Sequence, residues 1–239
     1  MTTAGLQEQI AAVQRRIAQA CQRCGRDPAM VTLVAVTKGV SADTIQDAVT
    51  LGLTDLGENR VQEARSKQNV LGSGLGVLGK YPEPRTPNPE PIRWHLIGHL
   101  QRNKANDAVE LFEVIHSIDS AILAEDVERA AAKRGRSMEV FVQVNVSGEA
   151  TKFGCRPDDV PGLARSVGQL PHLRVQGFMT MAPFADDPET VRPVLRQLRA
   201  LRDAVDPSLK LSMGMSQDFE VAIEEGADVI RVGTALFGT

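Results

Sequence analysis

Read for hydrophobic periodicity, the chain repeats one theme. A short, nearly continuous apolar run gives way to a turn of small or polar residues, then to a stretch with apolar positions three or four apart. The first run is VTLVAVTK, Val31–Lys38, and its β-branched density predicts a strand buried on both faces, as in a parallel sheet. Further strands are predicted at Asp55–Gly57, Trp94–Gly98, Val114–Ile118, Glu139–Val146, Arg174–Met179, Lys210–Met213 and Val229–Val232. Helices are predicted at Leu6–Arg23, after the N-cap Ser41, and at Asn59–Val70, Gln101–Phe112 and Ser120–Arg134. Three more follow at Pro157–Val167, Thr190–Val205 and Gln217–Glu225. In the longest of the later helices Val191, Leu195, Leu198 and Val205 form one stripe, and Pro193 is tolerable only in its first turn.

Eight strands, each followed by a helix, in 239 residues predict an α/β fold: a single (β/α)8 barrel of the TIM type spanning 1–239 as one domain. The competing topology is an open doubly wound sheet. Its glycine-rich nucleotide fingerprint is missing after the first strand, where the chain reads TKGVSAD, so the barrel is favoured. One segment breaks the rhythm. Residues 70–91 carry four glycines and then Pro82, Pro84, Pro87, Pro89 and Pro91, a density that predicts an exposed, flexible surface insertion in place of a regular element.

A formal net charge of −3 provides no basic field for nucleic acid or for an acidic membrane. No apolar run reaches the roughly 18–20 residues that span a bilayer, and Met1–Ile10 lacks the apolar stretch of a signal peptide, so a cytoplasmic location is expected; one compact domain makes a monomer the default. With three cysteines a disulfide framework is not expected, and the pair Cys21 and Cys24 has no partner pair at metal-ligand spacing. No metal site is assigned. His95 and His99 stand four apart but straddle a strand-to-helix turn and lack the intervening carboxylate of a zinc motif.

Barrel sites form at the C-terminal ends of the strands, so polar residues there are the candidates. Lys38 ends an otherwise apolar strand. Partial desolvation would favour a neutral amine able to attack an aldehyde, whereas a snorkelling lysine would reach water; position alone does not choose between them. LSMGMSQDFE brings hydroxyls and a glycine to the end of the seventh strand, and IRVGTALFG brings Arg231, Gly233 and Thr234 to the end of the eighth. The loops after strands seven and eight are the usual phosphate seat of this barrel, although two ordinary turns would read alike. An amine on strand one beside such a seat suits a phosphorylated aldehyde.

The blocks LVAVTK at Lys38, LGENRVQE at 56–63, WHLIGHLQRNK at 94–104 and HSIDS at 116–120 run in order along the chain. They continue with VQVNVSGEATKFG at 142–154, GFMTMAP at 177–183, LSMGMSQDFEVAIEEGA at 211–227 and IRVGTALFG at 230–238. In these blocks the sequence resembles the pyridoxal phosphate homeostasis protein family, over nearly its whole length. The resemblance implies an alanine racemase-like barrel of fold type III without the C-terminal β domain, with pyridoxal 5′-phosphate (PLP) held as an imine on Lys38. It implies Ser212, Ser216, Gly233 and Thr234 as phosphate contacts, with the backbone of Met215 beside them. Arg231 would face the pyridine nitrogen, and Asn59, His95, Asn145 and Met179 would line the ring.

The role it implies is storage of PLP and delivery to apo-enzymes, with no residue assigned to catalysis. The alternative is an amino-acid racemase-like enzyme. That activity needs a second base; the lone Tyr81 lies in the Gly/Pro segment, and Cys155 or His95 are the remaining candidates. Lys152, after the fifth strand, is a candidate secondary amine for transfer. Two departures from the family pattern are the length of the 70–91 segment and the Gly39-Val40 pair behind the lysine.

Overall fold

Runs of β-branched residues, too short for helices, bury best as strands covered on both faces, and the computed structural model arranges them that way. It describes residues 2–75, 91–149 and 151–238. The strands are β1 (Thr32–Val36), β2 (Asp55–Glu58), β3 (Arg93–Leu96), β4 (Val114–Ile118), β5 (Met138–Gln143), β6 (Leu173–Met179), β7 (Lys210–Ser212) and β8 (Val229–Val232). They form a closed parallel barrel in sequence order. The seam between first and last strand pairs Val34 with Arg231 and Ala35 with Val232. The sheet register shifts within β4–β5 and β5–β6.

Around the barrel run α1 (Thr3–Cys24), α2 (Ala42–Thr50), α3 (Val61–Leu75), α4 (Ala105–Leu111), α5 (Ala121–Arg134), α6 (Val160–Gly168), α7 (Arg192–Val205), α8 (Phe219–Glu224) and α9 (Thr234–Phe237). The main core lies between strands and helices, and a separate cluster of Val34, Val114, Phe141, Met179 and Val229 fills the barrel interior. Ser41 caps its helix as expected, accepting Thr44 N–H, and Ser120, placed by the sequence inside α5, caps it by accepting Leu123 N–H. Pro193 falls in the first turn of α7, where its missing N–H costs no hydrogen bond. Among the described residues no helix is long and apolar enough to cross a membrane.

Two expectations change. The helix placed at Asn59–Val70 continues to Leu75, into the segment read as irregular. Leu71 is buried and anchors that last stretch, which offsets the cost of about 1 kcal/mol for each helical glycine. The rest of the Gly/Pro segment, 76–90, with Tyr81, lies outside the described residues. Strand β1 also ends two residues before Lys38.

Candidate functional site

The turn that carries Lys38 is held from below. Thr37 N–H still donates to Gly57 O at 2.9 Å, and Val40 N–H then donates to Thr37 O at 2.9 Å, closing a tight turn with Gly39 at φ 72. That backbone conformation explains the glycine behind the lysine, since other residues adopt it at a cost. The turn lifts Lys38 out of the strand. Its side chain is exposed, so the partial desolvation expected from an apolar strand end is not supplied here.

A buried charged cluster fixes both flanks of Lys38. Lys67 Nζ, from α3, donates to Thr37 O at 2.6 Å, to Glu58 Oε1 at 2.6 Å and to Glu63 Oε1 at 2.7 Å. Glu63 Oε1 also accepts Gly39 N–H at 2.8 Å, while Thr37 Oγ1 donates to Glu58 Oε1 at 2.5 Å. Burial pushes the Glu58 carboxyl above its usual range despite Lys67 and Thr37. Burial acts the same way on Glu63, but hydrogen bonds from Lys67 and Gly39 outweigh it and hold that carboxyl below its usual range. Sequence reading missed Lys67; the legible signal was its position four residues after Glu63 on one helix face.

Across the seam lie the residues expected to seat a phosphate. Ser216 Oγ accepts the N–H groups of Gly233 and Ala235, each at 3.2 Å, so its own hydrogen is left to donate outward. Met215 N–H is taken by Asp218 Oδ1 at 2.6 Å. A Cβ on Gly233 would lie 3.3 Å from Val36 Cβ and 3.4 Å from Val36 O, which shows how closely this loop approaches the end of β1. Thr234 is exposed at the start of α9. Lys38, Ser216, Gly233 and Thr234 therefore share the C-terminal face around the β8–β1 seam.

Ser212 sits deeper than a surface phosphate contact. It is fully buried, and its hydroxyl is engaged by Arg231 Nη1 at 2.7 Å and by His116 Nδ1 at 2.9 Å. Arg231 also donates to Thr180 O at 2.8 Å, and burial pushes its guanidinium down to about 10, which leaves it cationic at neutral pH. His95 is buried between Asp55 and His116, 2.9 Å from each. His116 stacks on Phe141 with ring centroids 4.6 Å apart. Met179 belongs to the interior cluster with Phe141.

The other two ring-lining candidates sit in loops. Asn59 is half-buried at the end of β2, its backbone packed on Gly98. Asn145 is spent on its own loop: Nδ2 donates to Glu149 O and Lys152 O at 2.9 and 3.2 Å, and Oδ1 accepts Gly148 N–H at 3.1 Å. It thereby shapes the loop that carries the half-buried Lys152, beside Phe153 stacked 3.9 Å over His99. Beside it, burial, with Asp159 and Asp119 adding, pushes the Cys155 thiol up to about 12.

A profile of the alanine racemase N-terminal domain family matches residues 9–239. The pyridoxal phosphate homeostasis protein of Aquifex aeolicus (strain VF5) is 39% identical over 236 residues, covering 97% of this chain and 96% of the relative. The chain belongs to the pyridoxal phosphate homeostasis protein family. The family's Pseudomonas aeruginosa protein is 41% identical over 232 residues, covering 97% of this chain and 94% of its own length. Among solved structures, that of PipY from Synechococcus elongatus PCC7942 with PLP bound superposes with a TM-score of 0.77 at 34% identity, covering 98% of this chain and 100% of PipY.

Proposed function

We propose that this chain binds PLP through an imine on Lys38 and serves intracellular PLP supply, acting in the cytoplasm as a monomeric carrier that delivers the cofactor to apo-enzymes. The observation that carries the reading is the seam itself: an exposed amine on the β1 turn stands beside a loop of small residues after β7 and β8, under a buried guanidinium. Bound there, PLP supplies an electrophilic aldehyde that a primary amine can capture. The residues fit the group. Gly233 lets the loop after β8 close onto the end of β1, where a side chain would press on Val36, and Ser216 has a hydroxyl hydrogen to donate to an anion. Arg231 would lie beside the ring nitrogen, where its charge would disfavour protonation and so weaken the ring as an electron sink, which suits holding over turnover.

The racemase reading has less support. It needs a second base, and His95 has both ring nitrogens engaged while Cys155, with its thiol near 12, stays protonated at neutral pH. Lys152 remains the candidate amine for onward transfer.

The visible spectrum of the purified protein with added PLP, followed by borohydride reduction and peptide mapping, tests the linkage. The expected result is an imine band and a pyridoxyl mass on the Lys38 peptide; no band at saturating PLP sinks the reading. In Lys38→Ala, with Lys152 intact, the Lys38-linked band should disappear. Delivery is tested by reactivating an apo-enzyme in the presence of a PLP scavenger: the loaded protein should reactivate it where free PLP at equal concentration does not.

A further inference from the structure

The hydrogen bonds inside the barrel join a donor-only group to an acceptor-only group. An arginine offers only N–H groups and a carboxylate only accepts. Arg231 Nη1 donates to Ser212 Oγ at one end, and His95 Nε2 meets Asp55 Oδ1 at the other. Where each ring carries a single hydrogen, the hydrogens between these ends have one consistent arrangement. Ser212 donates to His116 Nδ1, His116 Nε2 donates to His95 Nδ1, and His95 Nε2 donates to Asp55, each over 2.9 Å. Burial, reinforced by His95 and Arg231, holds His116 well below the usual histidine range, so that ring is neutral. Asp55 opens β2 at the floor of the barrel, whereas Ser212 closes β7 at the mouth. The chain of contacts thus links the floor to the pocket wall.

We propose that Asp55, His95 and His116 are positioning residues that make the pocket select a ligand with a hydrogen-bond acceptor facing Arg231. They lock the Ser212 hydrogen toward His116 and so hold the Ser212 oxygen as a fixed partner for the guanidinium. Arg231 then meets the ligand as a donor of set orientation. This rests on the PLP reading, in which the acceptor is the unprotonated pyridine nitrogen. A site built to donate to such an atom rejects an analogue that lacks it, because the donor is left unpaired in a buried place. Break the chain and the Ser212 hydroxyl can turn, Arg231 keeps only Thr180 O as a fixed partner, and the selection weakens although no ligand contact has been altered.

Two measurements test this. In the unliganded protein, long-range proton–nitrogen spectra of histidine-labelled material should show His95 and His116 as neutral rings with hydrogen on Nε2. Hydrogen on His116 Nδ1 overturns the proposal. Second, apparent Kd values are compared for PLP and for the analogue with carbon in place of the ring nitrogen. The wild type should prefer PLP by about tenfold, the worth of one charge-assisted hydrogen bond. In Asp55→Asn, whose amide can donate as well as accept and no longer dictates direction, the ratio should fall to about threefold; in His116→Phe, which keeps an aromatic ring on Phe141, it should approach unity. Circular dichroism checks folding, and should His116→Phe fail to fold, Asp55→Asn alone decides. A wild type that prefers PLP while Asp55→Asn keeps the full ratio sinks the proposal and leaves the PLP reading standing. A wild type that binds no PLP sinks that reading, and the selection with it.

Discussion

At the scale of single residues, the least obvious contributor is Lys67. Its ammonium replaces water for two carboxylates and for Thr37 O, the carbonyl next to Lys38. Lys67→Met would leave Glu58 buried without its cation, a loss of about 3–5 kcal/mol by analogy with other broken buried pairs. The expected outcome in urea unfolding is a lower midpoint at unchanged slope, with weaker PLP binding because the Lys38 turn loses an anchor. Unchanged affinity in a folded Lys67→Met would show that the cluster serves stability alone. The sequence made Lys38 visible, because a lone amine behind VTLVAVT has few neighbours to confuse it. It did not show that the turn would expose that amine, since the turn depends on Gly39 N–H finding Glu63 from another element. The same limit hid the His95–His116 contact, which joins β3 to β4 and needs the strand register before it can be read.

At the scale of elements, strand existence was legible and strand ends were not. β-Branched runs mark the strands, but where a run stops being paired is decided by neighbours, as at β1 and at β5, which ends at Gln143 and not at Val146. Helix α3 is the opposite case: Gly72 and Gly74 argued for an end that the burial of Leu71 postponed. Helix α8, only six residues long, depends on others for its place. Arg16 donates to Glu220 from α1, at 2.6 and 2.9 Å, and Arg192 and Arg196 from α7 donate to Glu225, at 3.1 and 2.9 Å. Burial raises the Glu225 carboxyl, but hydrogen bonds from Arg196 and Arg192 more than offset it, and the carboxyl is held below its usual range. A lowered native pKa gives stability that is present above the unfolded value and lost as pH falls through the native one. Glu225→Gln should therefore cost about 1–3 kcal/mol at pH 7, and the gap to wild type should close below about pH 4. Parallel denaturation series across pH measure it.

At the scale of the whole molecule, closure depends on strands approaching without side chains in the way. Gly177 on β6 is the tightest such point among the described glycines: a Cβ there would lie 1.8 Å from Lys210 O on β7. Gly177→Ala should cost more than about 3 kcal/mol or prevent folding, seen as loss of a cooperative thermal transition. Ligand linkage gives the complementary expectation. PLP at about 100 times its Kd should add roughly 2.7 kcal/mol to wild-type stability and much less to Lys38→Ala, read as a shift in Tm.

The seam pairs the first strand with the last, and the turn just after α1 is tied to the final fifth of the chain by Arg26, which donates to Ala227 O and Asp228 Oδ1 at 2.7 and 2.8 Å. On the ribosome this means that the amine emerges early and waits. Until β8 has left the exit tunnel, a nascent chain holds Lys38 without its facing wall, so on the proposed linkage cofactor capture would report that the ring of strands has shut.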